Sequence, residues 1–153
     1  LLGYGEGHAY EHISQAKDLT TSAAVMSGQA AYADSGLTPN DMDLLQLDDC
    51  FTPALLIQIE DLGFCAKGEG GDWLASGISQ PGGHKPLNTH GGMLSYCHPG
   101  NPGAMFGLTE AMLQLRGQAG ARQLSGINTA LCHAQGGIMS SHATLILGNE
   151  DPS

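Results

Sequence analysis

The stretch Leu87 to Phe106, L-N-T-H-G-G-M-L-S-Y-C-H-P-G-N-P-G-A-M-F, holds the side chains best suited to chemistry. His90, Tyr96, Cys97 and His98 lie in it among four glycines and two prolines. An imidazole beside a phenol and a thiol can move protons near neutral pH. Glycine-rich backbone adopts dihedrals closed to other residues and lets a ligand approach closely. The apolar run that follows, Leu108 to Leu115, reads as a helix, so these groups stand on a loop just before a helix N-terminus. Backbone N–H groups and the helix dipole favour developing negative charge there. A glycine- and proline-rich turn around a buried histidine fits the same letters.

A second cluster is Asp48-Asp49-Cys50-Phe51, at the end of the apolar run Leu44–Leu47 and just before Thr52-Pro53. Proline suits the first turn of a helix, and Ala54 to Leu62 continues it up to Gly63. In α/β sheets, sites collect where a strand ends and a helix begins. Cys50 and Cys97 stand beside titratable groups, whereas Cys132 in its apolar run reads as core. With Cys65 they form no C-x-x-C pair and match no zinc-ligand spacing, so no metal site is expected. Thiols without a secretory signal point to a reducing, cytoplasmic setting.

The remaining elements position these groups. Leu1 to His8 reads as the end of a strand, and Glu6 to Thr20 as a polar loop with solvated histidines. Thr20-Thr21-Ser22 offers an N-cap for a helix over Ala23 to Ser35, closed by Gly36. Ala24, Gly28 and Ala31 share one face of it, which a neighbouring backbone could approach closely. Phe64 to Pro86 reads as a long loop pinned by Trp73 and Leu74. A helix over Phe106 to Arg116, a strand over Ile127 to Cys132, a turn over His133 to Gly137 and a strand over Ser141 to Leu147 complete the order. The pattern β-α-β-α-loop-α-β-β predicts a three-layer α-β-α domain with a mixed sheet.

With 153 residues the chain can bury one ordinary core. A net charge of −10 with five basic residues argues against nucleic-acid binding, which needs a Lys/Arg footprint. No run approaches the roughly 20 apolar residues of a membrane span. Charged residues make up only 13%, which points to a surface covered by a partner or a missing half. Leu1 in first position suggests a fragment or a processed chain, and Leu1-Leu2-Gly3 is no signal peptide.

Several motifs occur together: G-L-x-P-x-D-x-D at Gly36 to Asp43, D-C-F at Asp49 to Phe51, and E-D-L-G-F-C at Glu60 to Cys65. They continue with N-x-x-G-G at Asn88 to Gly92, His98-Pro99, and Q-L-R-G-x-A-G-x-R-Q at Gln114 to Gln123. In this order they resemble the C-terminal half of the thiolase superfamily, specifically the sterol-carrier-protein or lipid-transfer type. The resemblance spans nearly the whole chain, 1–153. It implies one α-β-α half, normally paired with a similar N-terminal half, in the same chain or as a separate subunit, in a five-layered and usually dimeric body.

It also implies acyl-CoA chemistry at a carbon–carbon bond, with a coenzyme A thioester as substrate and no covalently bound cofactor. His98 then activates a nucleophilic cysteine of the other half and binds the thioester oxygen, and Cys50 serves as acid/base. Asn88, Gly91 and Gly92 shape the loop. The departures matter: Asp48 replaces a histidine of the motif at an oxyanion position, and Cys97 replaces the glycine before His98. The Y-x-H-P-G run also looks like thiolase-like proteins partnered by an OB-fold/zinc-ribbon subunit. Some of these are retro-aldolases on steroid side-chain CoA thioesters that use a tyrosine as base, a role matching Tyr96. His133, at a strand end, is a further candidate, while His90 and His142 read as ordinary. Three functions follow: a thiolase-like acyltransferase of the acetyl-CoA acetyltransferase type, a retro-aldol lyase on a β-hydroxyacyl-CoA, and a non-catalytic half completing a partner.

Overall fold

The computed structural model describes residues 1–100 and 102–149, so Asn101, inside the Leu87–Phe106 stretch, lies outside the described residues. The elements run β1 (Gly3–His8), α1 (Ala24–Ser35), β2 (Leu44–Leu47), α2 (Thr52–Asp61), α3 (Gly70–Ala75), α4 (Gly92–Ser95), α5 (Gly103–Leu115), β3 (Thr129–Gly136) and β4 (Ser141–Gly148). The sheet order is β1-β4-β3-β2. β2 and β3 are parallel, and the other two pairings are antiparallel.

Alternation along the strands divides the core. Leu45, Leu47, Leu131 and Ile146 pack with Ala31 of α1 and Ile59 of α2 on one face. Leu44, Ala130 and Cys132 pack against Ala111 of α5 on the other, joined by Leu108, Leu115 and Leu145. The result is the three-layer α-β-α arrangement with a mixed sheet that the sequence pattern predicts. All four residues of β2 are buried, as expected of a strand covered on both faces.

The small-residue face of α1 does receive a close neighbour. A Cβ at Gly5 of β1 would lie 2.1 Å from the Ser27 carbonyl oxygen, and one at Gly3 would lie 2.4 Å from that of Ala31. The alternating glycines of G-Y-G-E-G therefore let the helix lie directly on the strand. Gly36 ends α1 in the left-handed region at φ 70°, with its N–H on the Tyr32 carbonyl at 2.9 Å. The start differs from expectation: the N-cap is Ala23, and Ser22 Oγ accepts from the Ala24 N–H at 3.2 Å.

Three segment readings need correction. The loop Phe64–Pro86 carries α3, with Trp73 packed on Phe64 at 6.3 Å between ring centroids. The chemistry-rich stretch contains α4, and α5 begins at Gly103 rather than Phe106. The β3–β4 ladder continues to Gly136, so the hairpin turn is residues 137–140 and His133 lies inside a strand. A hairpin register is set by cross-strand pairing, which local letters do not reveal.

Candidate active site

Asp48, Cys50, Met93, His98, Ala104 and Gln135 help line one cavity of about 360 Å³ between the C-terminal end of β2, the start of α5 and the β3–β4 turn. Gln58 of α2 clamps its floor: its Oε1 accepts from the Asp48 N–H at 3.1 Å and its Nε2 donates to the Asp48 carbonyl at 2.8 Å. Asp48 Oδ1 then accepts from the Cys50 N–H at 3.0 Å. The Asp48 carboxylate, only 5% exposed, is thus partly occupied in shaping the loop that presents Cys50.

The orientation of Gln135 follows from its neighbours. The Met139 N–H can only donate, and it reaches Gln135 Oε1 at 2.6 Å. Gln135 Nε2 therefore faces Cys50 and donates to its Sγ at 2.9 Å. Burial, then the hydrogen bond and negative charge of Asp48, push the Cys50 thiol up to about 11, against the smaller opposing pull of Gln135. Cys50 is consequently a protonated thiol at neutral pH, suited to giving a proton.

His98 lies over the first turn of α5, where a Cβ on Gly103 would be 3.7 Å from its Nδ1. That Nδ1 accepts from the Gly100 N–H at 3.3 Å. In its neutral form the ring therefore carries its proton on Nε2 and offers a donor there. The structure brings His98 and Cys50, two separate candidates from the sequence, to one cavity.

The other candidates go elsewhere. Tyr96 is exposed and stacks edge-on between His90, at 5.7 Å, and Phe106, at 5.5 Å. With Glu110 and Arg122 these three line a separate cleft. Asn88, at φ 49°, grips β2 with both side-chain atoms: Oδ1 accepts from the Leu47 N–H and Nδ2 donates to the Leu47 carbonyl, each at 2.9 Å. It is loop scaffold on the open edge of the sheet. Gly91 adopts φ 108° and Gly92 φ 68°, and a Cβ on Gly92 would lie 2.1 Å from Asp49 Oδ2. The Asp49 carboxylate fills that space and accepts from the Met93 N–H at 2.6 Å.

His133 does not line the Cys50–His98 cavity, and its imidazole is tied to the hairpin and to α1. Its Nε2 meets His142 Nδ1 at 3.0 Å, its Nδ1 meets Thr144 Oγ1 at 2.8 Å, and Thr144 meets Ser27 Oγ at 2.9 Å. His142 Nε2 lies 3.0 Å from the Met139 carbonyl, which only accepts, so His142 donates there, His133 Nε2–H donates to His142 Nδ1, and Thr144 donates to His133 Nδ1. Burial, then His142, lowers His133 to about 3, and burial also lowers His142. The pair is neutral and braces the 137–140 turn from beneath. His142, read as ordinary from the sequence, belongs to it. Gln135 was also hidden, inside an apparent turn.

The profile of a family described as "Thiolase C-terminal domain-like" matches residues 5–149. The chain belongs to this family. The 17-hydroxy-3-oxo-4-pregnene-20-carboxyl-CoA lyase of Mycobacterium tuberculosis is 44% identical to it over 123 residues, 79% of this chain and 30% of that protein. An acetyl-CoA acetyltransferase of Methanothermobacter thermautotrophicus is 37% identical over 122 residues, 79% of this chain and 32% of that protein. Among solved structures, the Ltp2-ChsH2(DUF35) aldolase superposes with a TM-score of 0.84 at 33% identity, over 97% of this chain and 39% of that one. This thiolase-type domain therefore spans about a third of the length of these three relatives. Its α5 keeps Met105 and Met112 exposed, and α4 keeps Leu94 exposed.

Proposed function

We propose that this thiolase-type domain contributes Cys50 and His98 to the cleavage of a carbon–carbon bond next to a coenzyme A thioester, of the retro-aldol kind. The observation that carries the reading is the cavity holding a protonated thiol and an imidazole N–H donor together. Relatives named as a lyase and as an aldolase support the reaction type. In a β-hydroxyacyl-CoA, a base takes the hydroxyl proton as the Cα–Cβ bond breaks and the carbonyl forms at Cβ. The bonding pair enters the thioester enolate, whose oxygen accepts from His98 Nε2–H. Cys50 gives its proton to Cα and regains one from solvent. Tyr96, the base suggested by the aldolase resemblance, lines the separate cleft with His90 and Phe106, so the base is not assigned to a residue of this cavity. Asn88, Gly91 and Gly92 hold the loop, and Asp48 keeps Cys50 protonated.

A similar N-terminal half, covering Met105 and Met112, completes the body, and the full units pair as a homodimer. By analogy with the aldolase whose name joins it to a DUF35 partner, a second subunit of OB-fold/zinc-ribbon type belongs to the assembly. Among the described residues no helix is long and apolar enough to cross a membrane.

Acyl transfer is the second reading, favoured by the acetyltransferase relative. The two differ in stoichiometry. The native polypeptide with its co-purifying subunits should split a β-hydroxyacyl-CoA into a carbonyl compound and a shorter acyl-CoA without consuming free coenzyme A. His98→Ala should lower kcat by about 100-fold or more, as expected for loss of an oxyanion donor. Turnover of a β-ketoacyl-CoA with one coenzyme A consumed per cycle would instead establish the acyltransferase. Turnover of neither class would leave a non-catalytic half that completes a partner.

A further inference from the structure

We propose that a second, smaller pocket behind α5 binds a hydroxylated apolar group of about phenol size. This pocket measures about 170 Å³ and lies beside the Cys50–His98 cavity, separated from it by Asp48, Met93 and Ala104, which line both. Small residues open it: Gly103, Ala104 and Gly107 of α5 line one side, and Ala134 and Ala143 of the sheet line the other. Leu47, Leu108, Cys132 and Leu145 add apolar wall, and Asp48, Asp49 and His133 also line it, engaged with the Cys50 N–H, the Met93 N–H, and Thr144 and His142. An apolar cavity of about 150 Å³ is enough to hold benzene.

Two polar atoms of the wall are left without a partner. Gln46, only 2% exposed, and His90 both line the pocket, and Gln46 Oε1 and His90 Nδ1 are buried without a hydrogen-bond partner. Gln46 cannot avoid this by turning its amide over. Glu110 Oε1 accepts from Arg122 Nε at 3.2 Å and from Thr89 Oγ1 at 2.8 Å. Thr89 spends its one proton on that carboxylate, so its oxygen can only accept, and Gln46 must present Nε2 to it, at 3.2 Å. Oε1 is left facing α5, 3.8 Å from where a Gly107 Cβ would stand.

A buried acceptor held this way favours a ligand that brings an O–H. A hydroxyl can donate to Gln46 Oε1 while its own oxygen accepts from His90 Nδ1–H. Burial keeps His90 below the ordinary histidine range, against the pull of Glu110 and Asp49, so the neutral ring is available for that role. The rest of the ligand is hydrocarbon, because Asp48, Asp49 and His133 already have partners and, apart from Gln46 and His90, the other side chains of the wall are apolar.

The test uses the native polypeptide with its co-purifying subunits and needs no turnover, so it stands or falls separately from the proposed reaction. Fluorine NMR titrations with 4-fluorophenol and fluorobenzene should show saturable binding of both, the phenol tighter by about 3- to 10-fold, the worth of one neutral hydrogen bond. Gln46→Leu, of similar volume, should reverse that order. Ala134→Leu should weaken both ligands at least tenfold by filling the space. The proposal is overturned if wild-type protein shows no saturable shift or does not distinguish the two probes. It is equally overturned if the preference survives Gln46→Leu, or if binding survives Ala134→Leu in protein whose thermal unfolding remains cooperative.

Discussion

Cys50 should behave as a reluctant nucleophile whose reactivity is governed by Asp48. Burial and the adjacent carboxylate take its thiol from 9.0 to about 11. Two units leave about 100-fold less thiolate at pH 8. A more basic thiolate is intrinsically more nucleophilic, and a Brønsted slope of about 0.4–0.5 returns roughly 6- to 10-fold of that loss. The net expectation is modification about 10- to 15-fold slower than for an ordinary thiol, with a rate that continues to climb above pH 10. Methyl methanethiosulfonate applied from pH 7 to pH 11, with each cysteine peptide quantified by mass spectrometry, reads both quantities. Exposed Cys97 serves as an internal reference. Steric cover lowers the plateau rate without moving the midpoint, so the midpoint reports ionisation alone. Asp48→Asn removes a charge and an acceptor, and should move the midpoint down. If Cys50 reacts as fast as Cys97 at pH 8 with a midpoint below about 9.5, its assignment as a protonated proton donor is refuted.

Gly92→Ala should destabilise the domain by about 2 kcal/mol or more in denaturant unfolding, because the new Cβ meets the Asp49 carboxylate at 2.1 Å and φ is 68°. A change within about 0.5 kcal/mol would show that the α4 turn yields easily. Arg122→Met should cost about 1–3 kcal/mol at pH 7, a discounted figure because Arg122 is half exposed while Glu110 is 2% exposed. Burial works to raise the Glu110 carboxyl, but hydrogen bonds from Arg122, Gln114 and Thr89 outweigh it and hold it low. That stability is present above the ordinary carboxylate pKa of about 4.3 and is lost as pH falls through the folded value, so wild type and variant should converge in acid. His133 runs in the opposite sense to a salt-bridged histidine. Its folded pKa of about 3 lies below the unfolded value of about 6.5, so the unfolded chain binds the extra proton. Stability should decline as pH falls through that window, and His133→Gln should flatten the decline in urea titrations.

The sequence alone determined what depends on short-range geometry. The apolar run Leu44–Leu47, the proline after Thr52, the glycine at 36 and the small face of α1 each constrain neighbouring dihedrals or packing distance, so their elements could be read from letters. The thiolase-type motifs likewise named the family and brought Cys50 and His98 forward. What the letters could not show were pairings across long stretches of chain. Gln135 reaches Cys50 over 85 residues because β3 lies beside β2 in the sheet. His133 meets His142 only because the hairpin extends to Gly136, which turned a supposed loop residue into a core one. Glu110, Thr89 and Gln46 come from a helix, a loop and a strand, and only their meeting decides which way one amide must point. Side-chain chemistry is written residue by residue, but protonation state and hydrogen-bond direction belong to the neighbours, and tertiary packing chooses those.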